Sequence, residues 1–413
     1  MMTQDQYMAL ALQKYQQLAA LQEQTNLHDH EKEFEIVWRD LGRQVLEKTI
    51  SNPTNDRRKK KTVVTLFGAI SIAQGHCYSK SYNSFSVSPL LQDKLLFLSQ
   101  QLPYTNAHDT AVGLLGPTVS RSTLCRMTNH YGQALSAQSE QVADAPDAPA
   151  VSVVSAILAV AAISPVGSSE VVYALADGLM LLFEEGYKET KLGRTFSAKD
   201  LIDSHVQNRA GQISASNYVG HVGTWSEFWT KWQRDLKAHV DEGKELVFIS
   251  DGVVWLHQQL QQSYPQCIQI LDIYHLMEHL GSVAQLGITC PRVRQVWLDR
   301  QRNHLMDSKL DVVLANIYAL DIEANVCRQV CNYLETNRNR VDYKAYLDRG
   351  LCIGSGAIES ANKAVVQSRM KRSGQRWSKS GGQHVLDLRT CWMSGDWGRL
   401  LGLIEPQNYA MAA

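Results

Sequence analysis

The chain has 413 residues, of which 44% are hydrophobic and 20% are charged. That length and composition exclude a disordered chain and allow two or three folded domains. The formal net charge is zero, which excludes a uniformly basic nucleic-acid-binding protein, so any contact with DNA has to depend on local basic patches.

The eight cysteines are scattered and form no Cys-x-x-Cys pair of the kind that builds a zinc ribbon. Residues 1–48 are rich in glutamine and charge, with no apolar signal-peptide core. The apolar stretch from Ala150 to Pro165 is shorter than the roughly 20 residues that a membrane-spanning helix needs. We therefore expect a reduced, soluble, cytoplasmic protein without a membrane partner.

Residues 1–75 form the first predicted region. Apolar residues recur at helical spacing through residues 3–48, with a break near Asn26, which predicts two amphipathic helices. A basic run, Arg57 to Lys61, follows, and the segment from Thr62 to Ile72 has the composition of β-structure.

Residues 76–135 form a second region, in which the pattern from Ser86 to Gln133 is helical. Residues 111–124 predict a helix, a Gly116-Pro117 turn and a second helix capped by Ser120. This is the outline of a helix-turn-helix, whose second helix would present Arg121 and Arg126 to a DNA groove. An ordinary helical hairpin has the same pattern, and both interpretations stay open. Residues 136–168, rich in Ala, Ser, Val and Pro, predict a linker.

Seven elements follow the linker, in the order strand, strand, strand, helix, strand, helix, strand. They are predicted at Val171–Leu182, Lys188–Phe196, Asn217–Val222, Trp225–Val240, Glu245–Ile249, Val253–Ser263 and Cys267–Leu271. This order predicts an α/β domain with a ribonuclease-H-like mixed sheet, formed by residues 169–275 and 350–395. Residues 276–349 predict a helical insertion, and a last long helix is predicted to begin near Ser355.

Three carboxylates stand at positions that this order makes significant. Asp177 and Asp251 each follow an apolar strand and precede glycine, and the two strands are expected to be parallel neighbours. Glu359 lies in the first turn of the last helix. An ionised carboxylate beside a core is costly unless it binds a cation, so the three predict a site for two Mg²⁺ ions, which Mn²⁺ could replace. Taken singly, Asp-Gly is a common turn, and Glu359 suits a helix N-terminus with Lys363 as its i,i+4 partner.

Two further groups belong to the predicted site. Asp272 and His275 follow the last strand, and the histidine could position a phosphate or donate a proton. Taken alone, the pair is better explained by a helix-start aspartate with a partly buried histidine. The segment from Lys363 to Arg389 holds seven basic residues and one acid, which suits a DNA backbone, with a solvated helix face as the alternative. Its basic residues are Lys363, Arg369, Lys371, Arg372, Arg376, Lys379 and Arg389.

Several of these stretches resemble bacterial insertion-sequence transposases of the Kra type, related to the Mutator superfamily. The matching stretches are Tyr173–Gly178, Glu185–Gly193, Tyr218–Gly223, Ser250–Gly252, Ile270–Leu280 and Ile353–Ser378. The resemblance covers residues 170–395 well and the N-terminal part loosely. Relatives often carry a cysteine-paired, zinc-ribbon-like element upstream, whereas here only Cys77 stands near that place.

The resemblance implies a DDE transposase with Asp177, Asp251 and Glu359 as its catalytic triad and Asp272 and His275 as an Asp-x-x-His signature. It implies a bacterial, nucleoid-associated enzyme that cleaves double-stranded DNA at terminal inverted repeats and joins the ends to target DNA, as at least a dimer on DNA. Two alternatives are a transposase-derived DNA-binding protein and a ribonuclease-H-fold nuclease without joining activity.

Overall fold

The computed structural model describes residues 2–19, 26–50, 59–74, 84–116, 119–141, 170–202 and 211–404. Arg57, Arg58, Cys77, Pro117 and residues 142–168 of the predicted linker, with the apolar stretch inside it, lie outside these ranges. Within them, no helix combines the length and the apolar character that crossing a membrane requires. The chain divides into two compact units, Met1–Gln138 with Asp396–Ala413, and Ser139–Gly395.

The first unit is mainly helical and contains one β-hairpin. Its elements, in chain order, are α1 (Gln4–Ala19), α2 (Leu27–Ile50), β1 (Lys60–Thr65), β2 (Gly68–Ala73), α3 (Pro89–Gln101), α4 (Tyr104–Leu115) and α5 (Arg121–Gln141). The two predicted N-terminal helices and the β-rich segment are therefore confirmed. Residues 136–141, which the sequence assigns to the linker, instead complete the last turns of α5, because the helical pattern continues without a breaker.

The end of α4 and the start of α5 are fixed by side chains. Ser120 caps α5, since its hydroxyl accepts a hydrogen bond from the backbone N–H of Thr123 at 3.2 Å. The guanidinium of Arg39 in α2 donates to the backbone carbonyl of Leu115 at the end of α4. The predicted cap of α5 is thus confirmed, and Arg39 satisfies a carbonyl that the helix itself leaves open.

The second unit is built on a sheet with helices on both faces. Its elements are β3 (Val171–Phe183), β4 (Gly186–Ser197), β5 (Leu201–Ile202), β6 (Gln212–Ile213), β7 (Asn217–Val222), α6 (Trp225–Asp241), β8 (Glu245–Ser250), α7 (Val254–Ser263), β9 (Ile268–Leu271), α8 (Ile273–Gly287), α9 (Pro291–Met306), α10 (Leu310–Tyr318), α11 (Ala324–Thr336), α12 (Tyr343–Asp348), α13 (Gly356–Ala361), α14 (Ser368–Met370) and α15 (Lys379–Met393). A π-helical segment, Asn362–Gln367, joins α13 to α14. A final helix, α16 (Trp397–Ile404), belongs to the first unit.

The central sheet has five strands in the order β7-β4-β3-β8-β9. The pairs β3–β4 and β4–β7 are antiparallel, whereas β3–β8 and β8–β9 are parallel. The predicted mixed α/β architecture is confirmed, and so is the prediction that the first and fourth of the predicted strands are parallel neighbours. The parallel pairs need crossover connections, which α6 and α7 provide.

Side chains alternate between the two faces of the sheet and so enter two different cores. On one face, Ala174 and Phe248 pack with Phe228 and Trp232 of α6. The other face, which carries Leu175 and Ile249, is covered by helices between α8 and α15. Buried residues of α9, α10 and α11 belong to this second core, so the predicted helical insertion shares a core with the sheet. They include Leu305, Val313, Ile317, Cys327 and Leu334.

Two local predictions for the second unit are wrong. Asp177 does not stand at the end of the first strand, because β3 continues to Phe183, close to the predicted limit at Leu182, and β4 pairs with it through Asp177 and Gly178. The long helix predicted from Ser355 is interrupted, since α13 passes into the π-helical segment and α14, which ends at Met370 before α15 begins.

Candidate functional site

Asp177 in β3 and Asp251 directly after β8 stand at equivalent positions of two neighbouring parallel strands. The pairing of β3 with β8 ends with Leu175 opposite Ile249, and each aspartate follows two residues later in the chain. Because side chains alternate along a strand, the aspartates belong to the face that carries Leu175 and Ile249. The sheet register therefore places the two carboxylates side by side on the face that α13 covers.

Glu359 completes the cluster from the helix side, because α13 carries it in its first turn. The three acids line one pocket. Its lining residues are Ala176, Asp177, Ser250, Asp251, Asp272, His275, Glu278, Ser355, Ile358 and Glu359. The lining contains five acidic residues, whereas no lysine or arginine contributes to it from the described ranges.

Asp177 is the partly buried member of the three. Burial is the largest cause that raises the pKa of its carboxyl above the ordinary value, and the charges of Asp251 and Glu359 raise it further. Hydrogen bonds from the N–H of Gly178 at 2.7 Å and from the side-chain amide of Asn362 at 2.6 Å act in the opposite direction. The Asp177 carboxylate thus sits where a bound cation would relieve an unfavourable charge.

Asp251 lies just beyond β8, at a turn that requires glycine. Gly252 has φ +94°, and a Cβ there would lie 3.0 Å from atoms of Leu271 and Tyr333. The hydroxyl of Tyr333 donates to the backbone carbonyl of Asp251 at 3.0 Å. The turn interpretation of Asp251-Gly252 is therefore correct for the backbone, and it leaves the exposed Asp251 carboxylate in the pocket.

Asp272 is 2% exposed, and its carboxylate is occupied by four hydrogen bonds. It accepts from the backbone N–H groups of Tyr274 and His275 as the N-cap of α8. It also accepts from the N–H and, at 2.6 Å, the hydroxyl of Ser355, just before α13. We therefore assign Asp272 a positioning role that ties α8 to the start of the helix that carries Glu359, in place of the catalytic role expected from sequence.

His275 lies on the pocket wall and its side chain is partly exposed. Its Nε2 lies 3.2 Å from Nε2 of His279 one helical turn later, and its Nδ1 lies 3.7 Å from a carboxylate oxygen of Glu278. The ring of His279 packs in turn on Tyr333, with centroids 4.8 Å apart. His275 thus remains a candidate for proton exchange in the pocket, with a second imidazole and a carboxylate beside it.

Two residues that the sequence analysis missed hold the helix side of the site. Arg194 in β4 is buried between the rings of Phe196 and Tyr218 and donates to the backbone carbonyl of Ala357 at 2.7 Å. Asn362 donates to Asp177. Asn362 follows Glu359 by three residues, which is same-face spacing in a helix and could have indicated it. For Arg194 no sequence signal existed, because its partner lies 163 residues away.

The donor set of the pocket fits a hard divalent cation, since carboxylate oxygens are the ligands that Mg²⁺ prefers. Asp177, Asp251 and Glu359 could hold such an ion. Among the described residues, however, no group of three or more His, Cys, Asp or Glu side chains is arranged so that it could hold a metal ion.

The basic residues expected to contact DNA divide into exposed and buried sets. Arg369 and Arg389 are 1% and 2% exposed, which corrects their assignment. The guanidinium of Arg369 stacks on Trp377, and that of Arg389 donates to the carbonyls of Ala364 and Val365. The remaining side chains are exposed. They are Arg121 and Arg126 on α5, and Lys363, Lys371, Arg372, Arg376 and Lys379 in the second unit.

Comparison with known proteins gives one distant relative, and no protein-family model matches the chain. The UPF0236 protein in vanSb 3'region of Streptococcus gallolyticus is 21% identical over 361 residues, which cover 82% of this chain and 74% of the relative. The similarity extends over most of both chains, and the relative's name states no activity.

Proposed function

We propose that this chain is a DDE transposase of a bacterial insertion sequence, a metal-dependent enzyme that cleaves DNA strands and transfers them to a target. One observation carries the proposal. Asp177 and Asp251 on parallel neighbouring strands and Glu359 in the first turn of a helix line one pocket whose acidic charge no lysine or arginine of its lining compensates.

The sheet supports a ribonuclease-H-like catalytic domain as the setting for this pocket. Three antiparallel strands followed by two parallel ones, in the order β7-β4-β3-β8-β9, are the arrangement expected of that fold. The resemblance of residues 170–395 to Kra-type transposases points to the same three acids.

The chemistry follows from the donor set. Asp177, Asp251 and Glu359 would hold Mg²⁺, which when bound would supply Lewis-acid activation of the attacking oxygen and neutralise charge on the leaving oxygen. The partly buried Asp177 would present a carboxylate of fixed orientation to the ion, because two hydrogen bonds hold it in place. His275 is placed on the pocket wall to exchange a proton with the attacking or the leaving oxygen.

A basic segment near one end of β3 offers a contact for the DNA backbone. Lys371, Arg372 and Arg376 are exposed between Met370 and Trp377. Trp377 is anchored at the end of β3, since its N–H donates to the carbonyl of Leu182 at 3.1 Å. Phe183, the last residue of β3, lies six positions after Asp177. At about 3.3 Å per strand residue, the two are roughly 20 Å apart. That distance corresponds to about six base pairs of duplex.

DNA recognition by the first unit is proposed for the N-terminal end of α5, where Arg121 and Arg126 are exposed beyond the Ser120 cap. A helix N-terminus with two basic side chains suits entry into a major groove. Because transposition brings two element ends together, we propose that at least a dimer assembles on DNA.

The test is cleavage of an end-labelled duplex that carries the sequence flanking the gene, in Mg²⁺ or Mn²⁺, by the wild-type protein and by Glu359→Gln. Strand nicking and joining that are lost in Glu359→Gln and in Asp251→Asn are expected. Binding of the duplex without cleavage by the wild type would favour a DNA-binding protein, and cleaved but never joined products would favour a nuclease. Cleavage by Asp251→Asn at the wild-type level would contradict the DDE assignment.

A further inference from the structure

Asn362 is hydrogen-bonded to Asp177, the most buried of the three proposed cation ligands. Its Nδ2 donates to Oδ2 of Asp177 at 2.6 Å, while the backbone N–H of Gly178 donates to Oδ1 at 2.7 Å. One donor on each oxygen fixes the plane of the carboxylate and leaves the remaining lone pairs of both oxygens for other ligands.

The side chain of Asn362 is unfavourable for the stability of the fold. Asn362 is 2% exposed, and its buried Oδ1 has no hydrogen-bond partner in the part of the chain that the structure describes. A buried polar atom that lacks a partner lowers stability relative to an apolar side chain of the same shape. Stability alone therefore does not account for an asparagine at this position.

The backbone around Asn362 is also unusual, because Asn362 is the first residue of the π-helical segment. A π-helical turn is rare inside an α-helix and occurs frequently at functional sites. Buried Arg389 holds this turn by donating to the carbonyls of Ala364 and Val365. The buried guanidinium of Arg389 thus stabilises the π-helical segment, and the first residue of that segment, Asn362, donates to Asp177.

We infer that Asn362 is a positioning residue for cation binding: it orients the Asp177 carboxylate towards the ion, at the expense of fold stability. The inference rests on the proposed function, in that it takes Asp177 as a cation ligand. Groups that hydrogen-bond to a ligating carboxylate tune metal affinity without touching the metal, and their loss weakens binding about 10–100-fold.

The experiment compares Mn²⁺ binding, followed by electron paramagnetic resonance, with the thermal unfolding midpoint of the full chain. Asn362→Leu removes the donor and the partnerless oxygen while keeping the branching at Cγ and the number of heavy atoms. We expect its midpoint to be equal to or above that of the wild type, and its Kd for Mn²⁺ to rise about 10–100-fold. Asn362→Ala is the second variant, for use if the Asn362→Leu protein does not fold. We expect the same loss of Mn²⁺ affinity in it.

Ser360→Ala is the matched control, since Ser360 is exposed on the same helical stretch and outside the pocket lining. Both of its values should equal those of the wild type. A lowered midpoint with unchanged Mn²⁺ affinity in both Asn362 variants would show a purely structural role and overturn the inference. Absence of Mn²⁺ binding in the wild type would instead overturn the cation site itself, and the inference with it.

Discussion

Asp251 and Asp272 follow neighbouring parallel strands, yet their surroundings give them different roles. Asp272 is buried and accepts four hydrogen bonds, two of them from Ser355. Asp251 is exposed, and among the described residues its backbone carbonyl, not its carboxylate, accepts a hydrogen bond, from Tyr333. The number of donors around each carboxylate therefore separates an aspartate that holds the fold from one that is open to a ligand.

This difference predicts opposite effects of one chemical change. Asp272→Asn places an amide against four donors, so we expect a loss of unfolding free energy on the order of 3 kcal/mol. Asp251→Asn should leave the unfolding free energy within about 0.5 kcal/mol of the wild type, because it lies on the surface. Urea unfolding of both proteins measures the two values. Equal stability of the two variants would contradict the positioning role of Asp272.

Cysteine reactivity can also be predicted from the surroundings of each thiol. Hydrogen bonds from the N–H groups of Val293 and Arg292 lower the pKa of exposed Cys290 at the start of α9, with a smaller contribution from the charge of Arg294. Burial raises the pKa of Cys267 to about 12. Since the thiolate is the reactive form, Cys290 should react readily near neutral pH and Cys267 should not.

The measurement is the rate of reaction with a disulfide reagent between pH 6 and pH 9. It is made in a Cys77→Ser background, because Cys77 lies outside the described residues. Because the pKa of Cys290 is lowered, the rate of the fast phase should level off at a lower pH than for an ordinary thiol. The fast phase should disappear in Cys290→Ser, and its persistence would contradict this assignment.

At the scale of elements, the packing of α15 on β7 depends on the absence of a side chain. A Cβ at Gly220 of β7 would lie 2.5 Å from Cγ of Leu386 in α15. Gly220→Ala is therefore expected to lower the unfolding free energy by about 1–3 kcal/mol through overpacking. Gly281→Ala in α8 is the matched control, since nothing lies within 4 Å of its added Cβ. It should raise the unfolding free energy by about 0.5–1 kcal/mol through helix propensity.

Chemical denaturation of the two alanine variants tests this pair. Destabilisation by both would indicate that α8 also packs closely at Gly281. Tolerance of Gly220→Ala would mean that α15 can move away from the sheet without loss.

The exposed basic segment between α14 and α15 should contribute to DNA affinity through counterion release. Lys371→Ala with Arg376→Ala is expected to reduce the slope of log K against log salt concentration by about 1.8, since each phosphate contact contributes about 0.9. Lys344→Ala, an exposed lysine paired with Asp348, serves as the control. Fluorescence anisotropy of a labelled duplex at several salt concentrations gives the slopes. An unchanged slope in the double variant would assign the segment to a solvated surface.

At the scale of the whole molecule, the two ends of the chain belong to one unit. Leu400 and Ile404 of α16 are 0% and 1% exposed, and the indole N–H of Trp397 donates to Asp93 of α3 at 2.8 Å. The chain thus passes through the second unit before it completes the first.

Leu400 and its neighbour Leu401 test this arrangement, because Leu401 is 41% exposed. Leu400→Ala should lower the unfolding free energy of the first unit by about 2–5 kcal/mol, whereas Leu401→Ala should have a small effect. Neither change should alter Mn²⁺ binding by the second unit. Denaturant unfolding together with Mn²⁺ titration measures both quantities, and an unaffected stability in Leu400→Ala would show that α16 is dispensable for the first unit.

The sequence by itself determined the five strands of the central sheet, most helices and the elements on which or directly after which Asp177, Asp251 and Glu359 lie. These features depend on local spacing, and the backbone of a strand or helix largely fixes which side chains share a face. The parallel pairing of β3 with β8 followed from element order alone. The Asp177-Gly178 pair, which by itself favours a turn, instead continues the strand, because neighbouring β4 supplies its hydrogen bonds.

Only the tertiary structure decided which polar groups are satisfied and which remain open. Asp272 is occupied by Ser355, which lies 83 residues away, and Arg369 is buried under Trp377 instead of facing solvent. Asn362 reaches Asp177 across 185 residues, through a helix that changes to π-helical geometry at that residue. Burial and hydrogen bonding of a side chain depend on partners that are distant in the chain, and the local amino-acid sequence does not determine which partners these are.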